Sequence, residues 1–150
     1  MPAGRVPSGF FLVAEEDKQV GRVISMFLKT LGYSAQEFRN GADAVAAFEA
    51  APEAFACAII DVGMKKCNGI ETLGLLRKLN AKLPAILVSG SHLPTGATVE
   101  AEFLLKPFSM KQLSTAIRRC FGDTRKARKS PIEVAERKGR QRQPSSASKS

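Results

Sequence analysis

Four short apolar runs, each closed by a polar or charged side chain, set the strongest limit on what this chain can fold into. Residues 10–14 run into Glu15 and Glu16, residues 55–60 into Asp61, residues 85–88 into Ser89, and residues 103–105 into Lys106. Runs this short and this continuously apolar suit strands covered on both faces, as in a parallel sheet flanked by helices. Parallel strands present their carboxyl ends along one edge, and open α/β sheets place ligands and chemistry at that edge. Three carboxylates, a hydroxyl and an ammonium are therefore expected to converge there.

The segments between the runs carry helical spacing. From Lys18 onward, Val20, Val23, Ile24, Phe27, Leu28 and Leu31 repeat at that spacing, and Gly32 stands where such a helix stops. Residues 33–38 read as a short strand, Asn40-Gly41 as a turn, and residues 42–50 as an alanine-rich helix closed by Pro52. A loop over 62–69 leads to a helix with Ile70, Leu73, Leu76 and Leu79 on its face. A last helix, capped by Ser109, buries Leu113, Ile117 and Phe121. The alternation predicts an α/β fold with a five-stranded parallel sheet. One connection is short: residues 90–102 include Pro94 and Gly96. A mean helix takes about 11–12 residues and its two connections about 2–6 each, so a single turn or an irregular loop is expected there.

Charge divides the chain. The formal net charge is +9, yet residues 10–122 hold 13 basic against 11 acidic side chains, while residues 123–150 hold 9 against 3. The basic tail is rich in Lys, Arg, Ser and Gln. It is expected to stay disordered, because it has too little apolar surface to offset its ordering entropy. Its first reading is a solvated, solubilising segment; contact with nucleic acid or an acidic partner is the alternative, without aromatic side chains for base stacking. Residues 1–9 read as a flexible leader, residues 10–122 as the folded domain, and residues 123–150 as the tail. No DNA-binding output domain is expected in the length beyond 122.

Three cysteines without a C-x-x-C pairing fit a reducing cytoplasm, with Cys57 and Cys120 as small buried hydrophobes and Cys67 in a loop near Asp61. No apolar run reaches the length of a membrane span, and the first nine residues lack the apolar core of a signal peptide. His92 is the only histidine, which leaves little basis for a histidine-based mechanism.

The residues at the strand ends suit phosphoryl chemistry. Mg²⁺ takes oxygen ligands, usually one or two carboxylates with waters and phosphate oxygens, and Glu16 and Asp61 can supply them. A carboxylate can also act as the nucleophile that takes up a phosphoryl group, and Asp61, alone at the end of the central run, is the candidate. Ser89 can donate to a phosphoryl oxygen, and Lys106 can balance its charge. Each also has a plainer reading: Asp61 as a turn cap, Ser89 as a polar strand end, Lys106 as a surface charge. Their common position in the strand order favours the site.

With F-L-V-A-E-E-D, I-I-D-V-G-M-K-K-C-N-G-I-E, I-L-V-S-G and F-L-L-K-P-F, the chain resembles the receiver domain of two-component response regulators over roughly residues 10–122. The segment from S-G to K-P-F is most similar to receivers of hybrid histidine kinase systems. The resemblance implies a flavodoxin-like, doubly wound sheet in the strand order 2-1-3-4-5, with a shortened or irregular fourth helix. It implies Asp61 as phosphoacceptor, with Glu15, Glu16, Asp61 and the backbone carbonyl of Gly63 around Mg²⁺. Ser89 becomes the switch hydroxyl, Lys106 the charge-balancing lysine, and Phe103 the aromatic switch position, with a core aromatic as its alternative. Gly90 would leave the site open.

Three departures from the family pattern bear on that reading. Both acids are Glu, and one extra methylene moves a carboxylate by about 1.5 Å, a large step against Mg²⁺–oxygen distances of about 2.0–2.1 Å. Lys65 stands where the family usually has proline, and the short 90–102 stretch trims a signalling face. The expected function is that of a single-domain response regulator, not an enzyme beyond self-phosphorylation and autodephosphorylation. It would be phosphorylated by a sensor histidine kinase or histidine phosphotransfer protein and act as an interaction switch or phosphate sink toward a downstream protein. The rival is a degenerate receiver, a binding module that never turns over phosphate. A flavodoxin is a distant third, because E-E-D-K follows the first strand where a flavin phosphate cradle would need hydroxyls and glycines.

Overall fold

The computed structural model describes residues 8–91 and 99–121. Residues 1–7 of the expected 1–9 leader, most of the 90–102 connection including His92, and residue 122 with the whole 123–150 tail lie outside the described residues. Within them the order is β1 (Phe10–Ala14), α1 (Lys18–Thr30), β2 (Ser34–Phe38), α2 (Gly41–Ala50), a 3₁₀ turn (Pro52–Ala54), β3 (Phe55–Asp61), α3 (Gly69–Leu79), β4 (Ala85–Ser89), β5 (Glu102–Leu105) and α4 (Met110–Phe121). The strands form one parallel sheet in the order β2-β1-β3-β4-β5, the flavodoxin-like α/β arrangement expected from the sequence.

Strand alternation divides the core into two layers. Leu12, Ala14, Ala58, Ile60, Ala85 and Leu87 join Ala44 and Phe48 of α2 and Leu73 and Leu76 of α3 on one face. Phe11, Val13, Cys57, Ile59, Ile86 and Val88 join Ile24 and Leu28 of α1 and Leu113, Ala116 and Ile117 of α4 on the other. Each fully buried large aliphatic or aromatic side chain contributes about 1.5–3 kcal/mol relative to exposure, so the central strands are the main source of stability. The apolar pattern overstates two helix faces. Val23 and Leu79 remain 46% and 44% exposed, because the buried stripes run through Gly21, Ile24 and Leu28 in α1 and through Gly69, Thr72, Leu73 and Leu76 in α3.

Helix ends are closed by polar side chains and by glycine. Ser109 accepts from the Gln112 amide at 3.0 Å while Gln112 accepts from the Ser109 amide at 2.8 Å, a reciprocal cap for α4. Asn68 and Glu71 make the same exchange at the start of α3. Gly32, at φ 98°, ends α1 in the left-handed region that glycine reaches without steric cost. Gly69 serves a closer purpose. A Cβ there would lie 2.6 Å from the Asp61 carbonyl oxygen and 2.7 Å from the Val62 Cα, so only glycine lets α3 begin against the end of β3.

Candidate functional site

Ladder hydrogen bonds carry each central strand into its polar end. The Glu15 amide donates to the Phe38 carbonyl at 2.9 Å, the Val62 amide to the Val88 carbonyl at 2.8 Å, and the Lys106 amide to the Ser89 carbonyl at 2.8 Å. The exits of β1, β3 and β5 are thereby fixed relative to β2 and β4. Asp61 faces Val88 in register, and Ser89 faces Leu105. Among the described residues, Glu15, Asp61 and Ser89 make up three of the four buried polar side chains, at 3%, 8% and 7% exposure.

Lys106 joins two of these carboxylates. Its Nζ lies 3.1 Å from Glu15 Oε1 and 3.6 Å from Asp61 Oδ2. The other oxygen of each acid is held by backbone: Glu15 Oε2 accepts from the Asp17 amide at 3.1 Å, and Asp61 Oδ1 from the Gly63 amide at 3.0 Å. Burial is the main cause that raises the Glu15 pKa above its ordinary 4.5, and the Asp61 charge adds to it; the Asp17 amide and the Lys106 ammonium oppose. The side chains are thus preset by the strands and by one shared cation. The Lys106–Pro107 peptide bond that follows is cis.

The other expected residues sit at different distances from this centre. Glu16 is exposed, and its Oε2 accepts from the Lys65 amide at 3.0 Å. Ser89 Oγ accepts from the Ser91 amide at 3.2 Å and donates to the Ser91 carbonyl at 3.4 Å. Phe103 is half-buried against the core layer formed with α2 and α3. Gly90 has open space where a Cβ would stand. Gly63 meets Asp61 through its amide. Among the described residues, no three His, Cys, Asp or Glu side chains gather as a metal-binding group.

Sequence reasoning missed how the run Glu15-Glu16-Asp17 is divided. Glu15 turns to Lys106, Glu16 to the Lys65 amide, and Asp17 caps α1 by accepting from the Gln19 and Val20 amides at 2.9 and 3.3 Å. The available signal was position: an Asp immediately before the first helical residue is a favoured N-cap.

Comparison with known proteins gives the family and the fold. A model of the response regulator receiver domain matches residues 11–118. The transcriptional regulatory protein YkoG of Bacillus subtilis is 30% identical over 115 residues, covering 73% of this chain and 50% of YkoG. The response regulator receiver protein CpdR of Brucella abortus is 27% identical over 111 residues, covering 71% of this chain and 91% of CpdR. The solved receiver domain of the hybrid histidine kinase CckA superposes with a TM-score of 0.65 at 27% identity, covering 75% of this chain and 98% of that domain. The chemotaxis protein CheY4 of Vibrio cholerae gives a TM-score of 0.68 at 22% identity over 77% of this chain and all of CheY4, a likeness of fold. The chain spans half or less of several of its relatives: 50% of YkoG and 46% of RprY of Bacteroides fragilis. No helix among the described residues is long and apolar enough to cross a membrane. The chain belongs to the response regulator receiver domain family of two-component signalling.

Proposed function

We propose that this receiver takes a phosphoryl group onto Asp61 from a sensor histidine kinase or histidine phosphotransfer protein and acts as a phosphorylation-controlled interaction switch or phosphate sink in the cytoplasm. The observation that carries the reading is the Asp61 carboxylate, almost buried at the end of the central strand with the Lys106 ammonium 3.6 Å away. A carboxylate oxygen of Asp61 attacks phosphorus, the bond from phosphorus to the donor's imidazole nitrogen breaks, and the imidazole leaves. The product is an acyl phosphate of about −1.5 to −2 charge. Lys106, which already bridges Glu15 and Asp61, is placed to turn toward the new phosphoryl oxygens. The Ser89 hydroxyl is a second donor at the same edge. Ser89 and Phe103 form the proposed switch: drawing Ser89 inward opens space beside β4 and lets Phe103 change rotamer.

The donor set is the all-oxygen kind that Mg²⁺ takes, and two of its carboxylates share one cation, the Lys106 ammonium, although the three acids are not gathered as a metal-binding group among the described residues. Glu15, Glu16, Asp61 and the Gly63 carbonyl would hold the ion, which when bound neutralises charge on the phosphoryl oxygens. One observation favours the rival reading of a binding module without turnover: the Glu16 carboxylate is occupied by the Lys65 amide.

Incubation with phosphoramidate and Mg²⁺, followed by intact mass measurement, decides between them. The wild type should gain one phosphoryl group and Asp61→Asn none. Equal labelling of both removes Asp61 from the role. No labelling of either, with no Mg²⁺ binding by titration, leaves the binding module.

A further inference from the structure

The sheet has a second cluster of reactive side chains, at the opposite end from Asp61. Cys57 lies on β3, fully buried, and Cys120 lies on the last turn of α4, half-buried against the same core layer. The Cys57 sulfur meets the Ala58 carbonyl at 3.9 Å, and the Cys120 sulfur meets the Ala85 carbonyl at 3.7 Å. Ala58 and Ala85 are register partners on neighbouring strands, which stand about 4.7–4.9 Å apart. The two thiols thus approach one face of one rung of the sheet, and Cys120 adds to the burial that pushes the Cys57 thiol up. Arg77 of α3 stands near both. Its Nε and Nη2 donate to the Leu83 carbonyl at 3.1 and 2.8 Å, and its positive charge works against the burial that pushes the Cys57 thiol up.

We propose that Cys57 and Cys120 are a redox pair that a peroxide converts to a disulfide, tying α4 to the central strand. Cys120 is the entry point because it reaches solvent, whereas Cys57 is sealed in the core. The Cys120 sulfur attacks hydrogen peroxide, the O–O bond breaks, and one oxygen leaves as water with the thiol proton, giving a sulfenic acid. The Cys57 sulfur then attacks the Cys120 sulfur, the S–O bond breaks, and the second oxygen leaves as water with the Cys57 proton. The two sulfurs together lose two electrons, and the peroxide gains them. The bond would connect the strand that ends on Asp61 to the helix that follows Lys106 and Pro107, so oxidation reaches both elements that build the phosphoryl edge. Cys67 takes no part: it lies in the loop before α3 beside Thr72 and Gly41.

The full chain is treated with hydrogen peroxide, unfolded, alkylated with N-ethylmaleimide, and weighed intact, with peptide mapping under non-reducing conditions. Three adducts are expected before oxidation and one after, with Cys57 and Cys120 joined in one cross-linked peptide and all three adducts restored by dithiothreitol. Cys120→Ser should keep two adducts whether or not peroxide was added, and Cys67→Ser should fall from two to none. Three adducts after oxidation of the wild type, a stable sulfenic or sulfinic acid at Cys120 with Cys57 still alkylated, or a cross-link through Cys67 would each overturn the proposal. Circular dichroism before and after treatment guards against scrambling: a cross-link that forms only once the helical signal is lost also overturns it.

Discussion

The two ends of one parallel sheet are built from opposite materials. At the carboxyl end, Glu15, Asp61 and Ser89 are buried polar groups; Lys106 joins the two carboxylates, and a backbone amide holds each of the three side chains. At the amino end, aromatic rings meet: Phe55 lies 5.6 Å from Phe48 and 6.5 Å from Phe10, and Phe11 lies 4.8 Å from Tyr33, centroid to centroid. Burying charged groups costs free energy unless they are paired, whereas burying rings stabilises directly. The comparison teaches a division of labour along each strand. The amino end holds the fold together, and the carboxyl end spends part of that stability on a preset charge cluster. Substitutions at the two ends should therefore separate function from stability.

The sharpest way to break the comparison is Lys106→Ala. On this reading, phosphoryl uptake from a small donor slows by about 10²–10³, the range for removing one donor to developing charge. Stability falls by about 1–3 kcal/mol, less than at the amino end, because the ammonium is partly solvated but its loss leaves two buried carboxylates without their shared cation. Stopped-time mass labelling and urea unfolding read the two quantities on one preparation. A loss of stability much larger than the loss of labelling would make the carboxyl end structural as well. Phe48→Ala is the mirror experiment. Its ring is fully buried, and truncating it should cost about 3–5 kcal/mol. Labelling of the protein that remains folded should be unchanged, and a labelling defect in that fraction would join the two ends.

Most of the fold was legible because the strands are short unbroken apolar runs, and the edge was legible because each run stops on one polar residue. Asp61, Ser89 and Lys106 fall where those stops predict. What stayed hidden depends on tertiary direction. The sequence shows three consecutive acids, but which carboxylate turns to the Lys65 amide and which to Lys106 is decided by loops 49 and 91 residues away, whereas Asp17 caps α1 through its own neighbours. Val23 and Leu79 carry the right spacing and yet face outward, since helical period defines an arc and the sheet covers only part of it. The thiol pair was invisible for the same reason: nothing local relates Cys57 to Cys120.

Gly69→Ala sharpens the comparison by linking its two terms at one position. The added methyl meets backbone, at the Asp61 carbonyl and Val62 Cα, so the start of α3 must move away from β3. Overpacking of this kind costs about 1–3 kcal/mol. The shift acts on the segment that aims Asp61 and its Gly63 amide, so labelling should slow as well, by less than in Lys106→Ala. Urea unfolding and labelling rates check both. A stability loss with an unchanged rate would show that the Asp61 geometry is set by the β3–β4 ladder alone.

The smallest effect tests the amino end by pH. Burial pushes the Tyr33 phenol above its ordinary 10.0, with the nearby Cys57 adding to the rise. The native protein then holds the Tyr33 proton at pH values where the unfolded chain has released it. With more protons bound in the native state, stability falls as pH rises. The contribution is fully present below 10.0 and is lost as pH climbs through the higher native value. Tyr33→Phe has no proton to lose there, so the stability gap between wild type and variant should hold steady at neutral pH and shift against the wild type above 10.0. Cys57 is pushed up by burial too, but it is present in both proteins and cancels in the difference to the extent that Tyr33 does not alter it. Urea midpoints measured for both proteins across that range give the gap directly. A gap that stays constant with pH would mean that the ring is not held away from water, and that the aromatic end is looser than its contacts with Phe11 imply.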